Sequence, residues 1–80
     1  MAGMPTIAKA ARENKVVRIN YRKASGDTQI YNLEPYSIRG GKYLFGYDQD
    51  EGQIKKFIIR NILSAKATTT EFEPQWEVEF

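Results

Sequence analysis

The chain has 80 residues, of which 41% are hydrophobic, 12% aromatic and 28% charged, with a formal net charge of +2, as in one small globular domain. Cysteine and histidine are both absent, which excludes disulfide scaffolds, zinc fingers and imidazole triads, so we expect no catalytic residues, no cofactor and no metal site. No apolar run approaches the roughly 20 residues of a membrane span, so we expect a cytoplasmic protein without membrane contact.

The first elements in the chain are a short helix and its cap. Thr6 is a suitable N-cap for a helix over about residues 7–14. Ile7, Ala10 and Ala11 recur at helical spacing and give this helix one narrow apolar stripe. The stripe predicts that the helix packs against the rest of the domain.

From Val16 onward the hydrophobic period changes from helical to two, which predicts strands. The predicted strands lie near residues 16–22, 28–33, 43–47, 53–59 and 62–69. Pro35 must lie at a strand end or a bulge, because proline cannot donate to a sheet. Together these elements predict a mainly β fold, a small five-stranded antiparallel barrel with a short N-terminal helix. Barrel closure is favoured because it removes sheet edges that so short a chain cannot cover.

The predicted domain organisation has three parts. Residues 1–5 are expected to be a linker or an added start, residues 6–74 the barrel domain, and residues 75–80 an acidic-aromatic tail or edge strand. All 12 Lys and Arg precede residue 71, whereas the last ten residues contain four glutamates and no base. The acidic tail either shields a sheet edge or lies over a basic groove as an intramolecular competitor for polyanions.

Four segments carry a recognisable pattern in order and spacing. They are VRINYRKASG at 17–26, LEPYSI at 33–38, GKYLFGYD at 41–48 and IKKFIIRNIL at 54–63. This pattern resembles the WYL domain, named after a Trp-Tyr-Leu tripeptide, over roughly residues 7–74. Lys42 stands in place of the Trp, Lys55 in place of the first Arg of a later motif, Ile58 in place of its second Arg, and Arg60 in place of its Asp. The resemblance implies an Sm-like or SH3-like barrel.

The resemblance also implies a function. WYL domains follow winged helix-turn-helix domains in bacterial regulators, are fused to Pif-type DNA helicases, or accompany phage-defence systems, and they sense nucleic acids or nucleotides. It therefore implies a regulatory or accessory domain of a larger bacterial DNA-processing protein, a Pif-type helicase being one parent. Its partners would be single-stranded nucleic acid, with DNA favoured, and the parent's domains in cis. The alternatives are a sensor of a small anionic ligand such as a nucleotide, and an oligomerising or protein-interaction barrel.

Nucleic-acid binding requires cations for phosphates and flat rings for bases. The candidate ligand-binding residues are Tyr21, Arg22, Tyr36, Lys42, Lys55, Lys56 and Arg60. Tyr36, directly after Pro35, is expected to be the most exposed ring. Tyr43, Phe45 and Tyr47 share one strand face, and three aligned aromatics are typical of barrel core.

Two of the candidate cations leave alternatives open. Lys55 and Lys56 point to opposite faces of a strand, and apolar residues flank both, so alternation does not decide which one is exposed. The resemblance favours Lys55 as the residue that faces the ligand. Arg60 either contacts the ligand or forms a surface ion pair with a tail carboxylate.

Overall fold

A computed structural model describes residues 3–80, so part of the predicted 1–5 linker, residues 1 and 2, lies outside the described residues. The elements are α1 (Met4–Arg12), β1 (Lys15–Arg22), β2 (Thr28–Arg39), β3 (Tyr43–Asp48), β4 (Gln53–Ile58), a 3-10 turn (Ile59–Asn61) and β5 (Ile62–Glu71). The strands form one antiparallel sheet in the order β4-β3-β2-β1-β5. This confirms the predicted mainly β fold with five strands and one short helix. No helix within residues 3–80 has the length and apolar character to cross a membrane.

The helix begins earlier than the sequence predicts. Its N-cap is Gly3, with a φ of 79°, and Pro5 lies in the first turn, so Thr6 is inside the helix and is not its cap. Proline suits a first turn because its fixed φ is helical and its missing N–H would have no partner there. The helix ends before Asn14, whose φ is 55°. The predicted apolar stripe is buried: Ile7, Ala10 and Ala11.

Strand β2 bends, and its two halves pair with different neighbouring strands. Its residues 28–33 pair with β1 and its residues 33–39 pair with β3. A register shift between Pro35 and Ser37 marks the bend, which confirms the predicted bulge. Opposite Pro35, a Cβ on Gly46 would lie 3.2 Å from the Glu34 carbonyl oxygen, so β2 approaches β3 closely at this point.

The main core lies between the sheet and α1. Its members are Ile7, Ala10, Val17, Ile19, Tyr31, Leu33, Leu44, Phe57, Ile59 and Ile62. Tyr21 links β1 to the end of β4, since its ring lies 5.0 Å edge-on from Phe57 and its hydroxyl accepts the Ile58 N–H at 3.0 Å. This contact holds β4 against β1 although the two strands are not neighbours in the sheet.

Strand β3 directs its aromatic residues outward, so the prediction that they form the core was wrong. Leu44, Gly46 and Asp48 are buried, while Tyr43, Phe45 and Tyr47 are only partly buried. The inner face is set by two local requirements. Leu44 lies opposite Phe57 in the core, and at Gly46 a Cβ would meet the Glu34 carbonyl oxygen at 3.2 Å, so this inward position favours glycine.

The acidic tail, residues 75–80, packs across the bulge of β2. The Glu79 N–H donates to the Tyr36 carbonyl at 2.7 Å, and Glu79 forms an isolated parallel bridge with Ser37. The Trp76 ring lies edge-on to Tyr36 at 5.4 Å. Tyr36 also joins Val16 and Phe72 in a second, smaller core cluster.

Tyr36 is therefore buried, with 4% of its surface exposed, and the expectation of an exposed ring was wrong. The bulge turns its side chain toward the tail, which covers it. Its hydroxyl donates to the Glu34 carboxylate at 2.6 Å and accepts the Gln75 N–H at 3.0 Å. Burial, assisted by the hydrogen bond to Glu34, raises the pKa of Tyr36 to about 12. The phenol therefore stays protonated and keeps the tail attached to β2.

Replacing Tyr36 with Phe tests this attachment. Tyr36→Phe removes one partner from the buried Glu34 carboxylate and one from the Gln75 N–H, so we expect the free energy of unfolding to fall by about 1–3 kcal/mol. Urea denaturation measures the change. Tyr43→Phe is the matched control, because its hydroxyl has no hydrogen-bond partner in the part of the chain that the structure describes. Equal losses in the two variants would contradict the role of Tyr36.

Candidate nucleic-acid interface

The outer surface of β3 and β4 combines aromatic rings with cations. The register places Tyr43 opposite Ile58 and Phe45 opposite Lys56. The ammonium groups of Lys42 and Lys56 lie 5.8 Å and 4.8 Å from the centroid of the Tyr43 ring. Within residues 3–80, neither ammonium has a carboxylate oxygen within 4.0 Å. We call Lys42, Tyr43, Phe45 and Lys56 the β3–β4 face.

The chemistry of this face suits an unpaired nucleotide. A base can stack on an accessible ring, and ammonium groups at the margin of the ring can contact the flanking phosphates. An exposed ammonium over a ring gains about 0.5–1 kcal/mol from the ring quadrupole. This attraction holds Lys42 and Lys56 beside Tyr43 without neutralising their charges.

Arg60 lies in the 3-10 turn that follows β4. The Ile59 N–H donates to the Lys42 carbonyl at 2.9 Å, so Arg60 follows a residue that is fixed to the start of β3. Arg60 is exposed and forms no ion pair with the tail in the described residues. The tail carboxylate of Glu79 instead pairs with Arg39 at 2.7 Å.

Two further predicted residues lie elsewhere. Arg22 is exposed at the end of β1, opposite Thr28, and no contact within residues 3–80 joins it to the β3–β4 face. Tyr21 is partly buried in the core, where its hydroxyl binds the Ile58 N–H. Because Ile58 lies opposite Tyr43, Tyr21 supports the face from behind.

Lys55 points away from the β3–β4 face, toward the side of the strand that carries Gly46 and Phe57. Its ammonium lies 3.0 Å from Asp48 Oδ2 and 2.7 Å from Glu51 Oε2. Only 2% of the Asp48 side chain is exposed. Two carboxylates therefore already compensate the charge of Lys55, and the ion pair with Asp48 is part of the fold.

The Asp48 carboxylate also organises the turn between β3 and β4, since it accepts the N–H groups of Asp50 at 2.9 Å and Glu51 at 3.3 Å. Burial by itself would raise the pKa of Asp48. The hydrogen bonds from Lys55 and the two N–H groups outweigh burial, so this pKa lies below its usual value. The hydrogen bond to Glu51, aided by Asp48 and opposed by burial, raises the pKa of Lys55.

The acidic tail borders the β3–β4 face without pairing with its lysines. A cavity of about 430 Å³ lies between the tail and the sheet, and its lining includes Phe45, Ile54, Trp76, Glu77 and Glu79. The tail thus brings carboxylates close to one end of the face. Sequence reasoning favoured the core for Tyr43 and Phe45, and the signal that could have corrected it is Gly46, which alternates with them and lies on the buried side of β3.

Two comparisons with known proteins agree on the fold. A protein-family model described as the WYL domain matches residues 3–67. Among solved structures, proteasome accessory factor B/C (PafBC) of Arthrobacter aurescens is similar, with a TM-score of 0.76, 16% sequence identity and coverage of 86% of this chain. The match spans 11% of the PafBC chain, and at this identity it shows the fold alone. No curated protein sequence matches the chain.

The neighbouring residues Lys55 and Lys56 give a matched test of the site. Lys55→Met leaves the buried Asp48 carboxylate without its ammonium partner, so we expect the free energy of unfolding to fall by about 2 kcal/mol. Lys56→Met removes an exposed charge from the other side of the same strand, and its effect should stay within about 0.5 kcal/mol. Urea denaturation distinguishes the two, and similar changes in both variants would refute the assignment.

The lowered pKa of Asp48 makes part of the stability depend on pH. This contribution is complete above the unfolded pKa of about 3.9 and is lost as the pH falls through the lower folded pKa. Asp48→Asn should therefore be less stable than the original chain at neutral pH, and the difference should shrink below about pH 4. Denaturation at a series of pH values measures it. A difference that does not vary with pH would show that the charge of Asp48 is unimportant.

Proposed function

The chain belongs to the WYL domain family of regulatory domains, and on that premise we propose that it is a non-enzymatic module that binds single-stranded nucleic acid, with DNA favoured. In this proposal it acts in the cytoplasm as a regulatory or accessory domain of a larger bacterial DNA-processing protein, for which a Pif-type helicase is one candidate parent. The other domains of that parent would be its partners in cis.

The β3–β4 face is the observation that carries this proposal. Lys42 and Lys56 would contact successive phosphates, and the Tyr43 ring between them would stack on a base. Arg60, next to the residue anchored on Lys42, would add a third phosphate contact. Phe45, opposite Lys56, would extend the stacking surface by one position along β3.

Binding at this face would depend little on base sequence. Ammonium groups contact the backbone, and rings stack on any base, so neither reads the hydrogen-bonding edges of bases. Tyr21 and Lys55 would act through the fold, because Tyr21 fixes the backbone of Ile58 opposite Tyr43 and Lys55 compensates Asp48. This assigns two of the candidate residues to positioning the face.

Titration of a labelled single-stranded oligonucleotide, followed by fluorescence anisotropy at several salt concentrations, tests the proposal. Tyr43→Ala should lower affinity by roughly fivefold to a hundredfold through lost stacking. Lys56→Met should lower affinity and reduce the salt slope by about 0.7 for the lost phosphate contact. Lys9→Met, on the exposed side of α1, is the control of equal charge.

The outcomes distinguish the proposal from its alternatives. Absence of oligonucleotide binding at low salt, or a salt slope that Lys56→Met leaves unchanged, would contradict the β3–β4 face. Thermal stabilisation by a mononucleotide without oligonucleotide binding would favour the small-ligand sensor. A mass that rises with concentration, without affinity for anions, would favour the oligomerising barrel.

A further inference from the structure

Two cations lie directly opposite each other on β1 and β5. Arg18 and Lys66 are register partners in the antiparallel pair, and both are exposed. Neither has a carboxylate oxygen within 4.0 Å in the described part of the chain. Like charges that face each other across neighbouring strands destabilise a sheet. The pair is therefore unfavourable in the free domain, and an anion bound between the two would relieve the repulsion.

The pair lines a cavity of about 540 Å³ that extends from β1 and β5 to Asn32 of β2 and to the turn after β3. The Asn32 amide and the hydroxyls of Thr69 and Thr70 share this lining. Gln49 also lines the cavity, but its Nε2 donates to Glu34 Oε2 at 3.0 Å. Such a set offers guanidinium, ammonium, amide and hydroxyl donors to one small volume. These are the groups that a tetrahedral oxyanion with several acceptor oxygens requires.

A hydrogen bond from Nε holds the Arg18 side chain in place. Its Nε donates to Asn32 Oδ1 at 3.2 Å, and Asn32 Nδ2 in turn donates to Asp50 Oδ2 at 3.1 Å. The single carboxylate in the cavity lining, Asp50, is thus engaged by Asn32 and not by a cation. Within residues 3–80 the two terminal nitrogens of Arg18 have no hydrogen-bond partner, so the fork of the guanidinium remains available.

The β5 rim of the cavity is fixed by the backbone. The Thr68 hydroxyl donates to the Val16 carbonyl at 2.7 Å and accepts the Thr70 N–H at 3.2 Å. These contacts lie where the pairing of β1 and β5 shifts register between Lys15 and Val17. The irregularity therefore holds the threonine segment in a defined position beside Lys66.

We propose that this cavity binds a phosphate group through Arg18 and Lys66, with the hydroxyls of Thr69 and Thr70 as further donors. None of the residues that line this cavity belongs to the β3–β4 face, so the site is distinct from that face and does not depend on the proposed function. The phosphate comes either from a small molecule or from a nucleic-acid backbone, which present the same group to these side chains.

A titration with inorganic pyrophosphate, followed by ¹H–¹⁵N NMR of the full chain, tests the site. We expect saturable shifts of the amides near Arg18 and over residues 66–70. Arg18→Gln and Lys66→Gln should each weaken binding by about tenfold. Lys23→Gln, which removes an exposed charge at the turn after β1, should leave affinity nearly unchanged. Absent or unsaturable shifts, or an equal loss with Lys23→Gln, would overturn the proposal.

Charge reversal provides a second, independent readout. Lys66→Glu replaces the repulsion with a cross-strand ion pair to Arg18, so it should raise the thermal midpoint while abolishing the pyrophosphate shifts. A lower midpoint, or retained pyrophosphate binding, would overturn the inference. Because the substitution is expected to stabilise the domain, loss of binding would not be explained by unfolding.

Competition between pyrophosphate and a single-stranded oligonucleotide identifies the source of the phosphate group. If pyrophosphate displaces a single-stranded oligonucleotide and Arg18→Gln weakens the oligonucleotide, the cavity takes a backbone phosphate. If Arg18→Gln weakens pyrophosphate alone, it takes a small phosphate-bearing ligand. Pyrophosphate shifts without oligonucleotide binding would refute the proposed function and support this site. Oligonucleotide binding that depends on Tyr43, without pyrophosphate shifts, would do the reverse.

Discussion

The bend of β2 is the constraint on which the rest of this domain depends. Because Pro35 interrupts the pairing and Gly46 lets the two backbones approach closely, one strand can pair with β1 and then with β3. The same bulge turns Tyr36 toward the tail and frees its carbonyl for Glu79. The close approach also settles which side of β3 faces inward, and hence that its aromatic side chains face outward.

Side chains alternate between the two faces of β4, so the adjacent residues Lys55 and Lys56 have different roles, one in stability and the other in proposed binding. Lys55 leans toward the buried side, where Asp48 and Glu51 compensate its charge and help to fix the turn. Lys56 lies on the other side, beside the Tyr43 ring and without an acidic partner in residues 3–80. A compensated cation stabilises a fold, whereas an uncompensated one remains available to an anion. The two lysines therefore differ in their ionic partners, although the residue type is the same.

The ion pairs of the acidic residues show which other cations are compensated. Asp48 and Glu51 bind Lys55, Glu71 binds Lys15, and Glu79 binds Arg39. Among the cations without a carboxylate partner in residues 3–80, two groups lie beside other side chains that can contact a ligand. One accompanies aromatic rings on β3 and β4, which favours bases and phosphates together. The other, on β1 and β5, accompanies the threonine hydroxyls of β5, which favours phosphate alone.

Hydrophobic periods and proline geometry are local, so the sequence predicts the strand count, the apolar stripe of α1 and the bulge at Pro35. The resemblance to the WYL family rests on four segments in order and spacing. The sequence did not determine which face of β3 is buried or which of Lys55 and Lys56 is compensated. When aromatic and aliphatic residues alternate along a strand, both of its faces are apolar, so the alternation does not show which face is buried. Contacts between strands settle both points, because β2 approaches β3 closely at Gly46 and the buried Asp48 carboxylate binds Lys55.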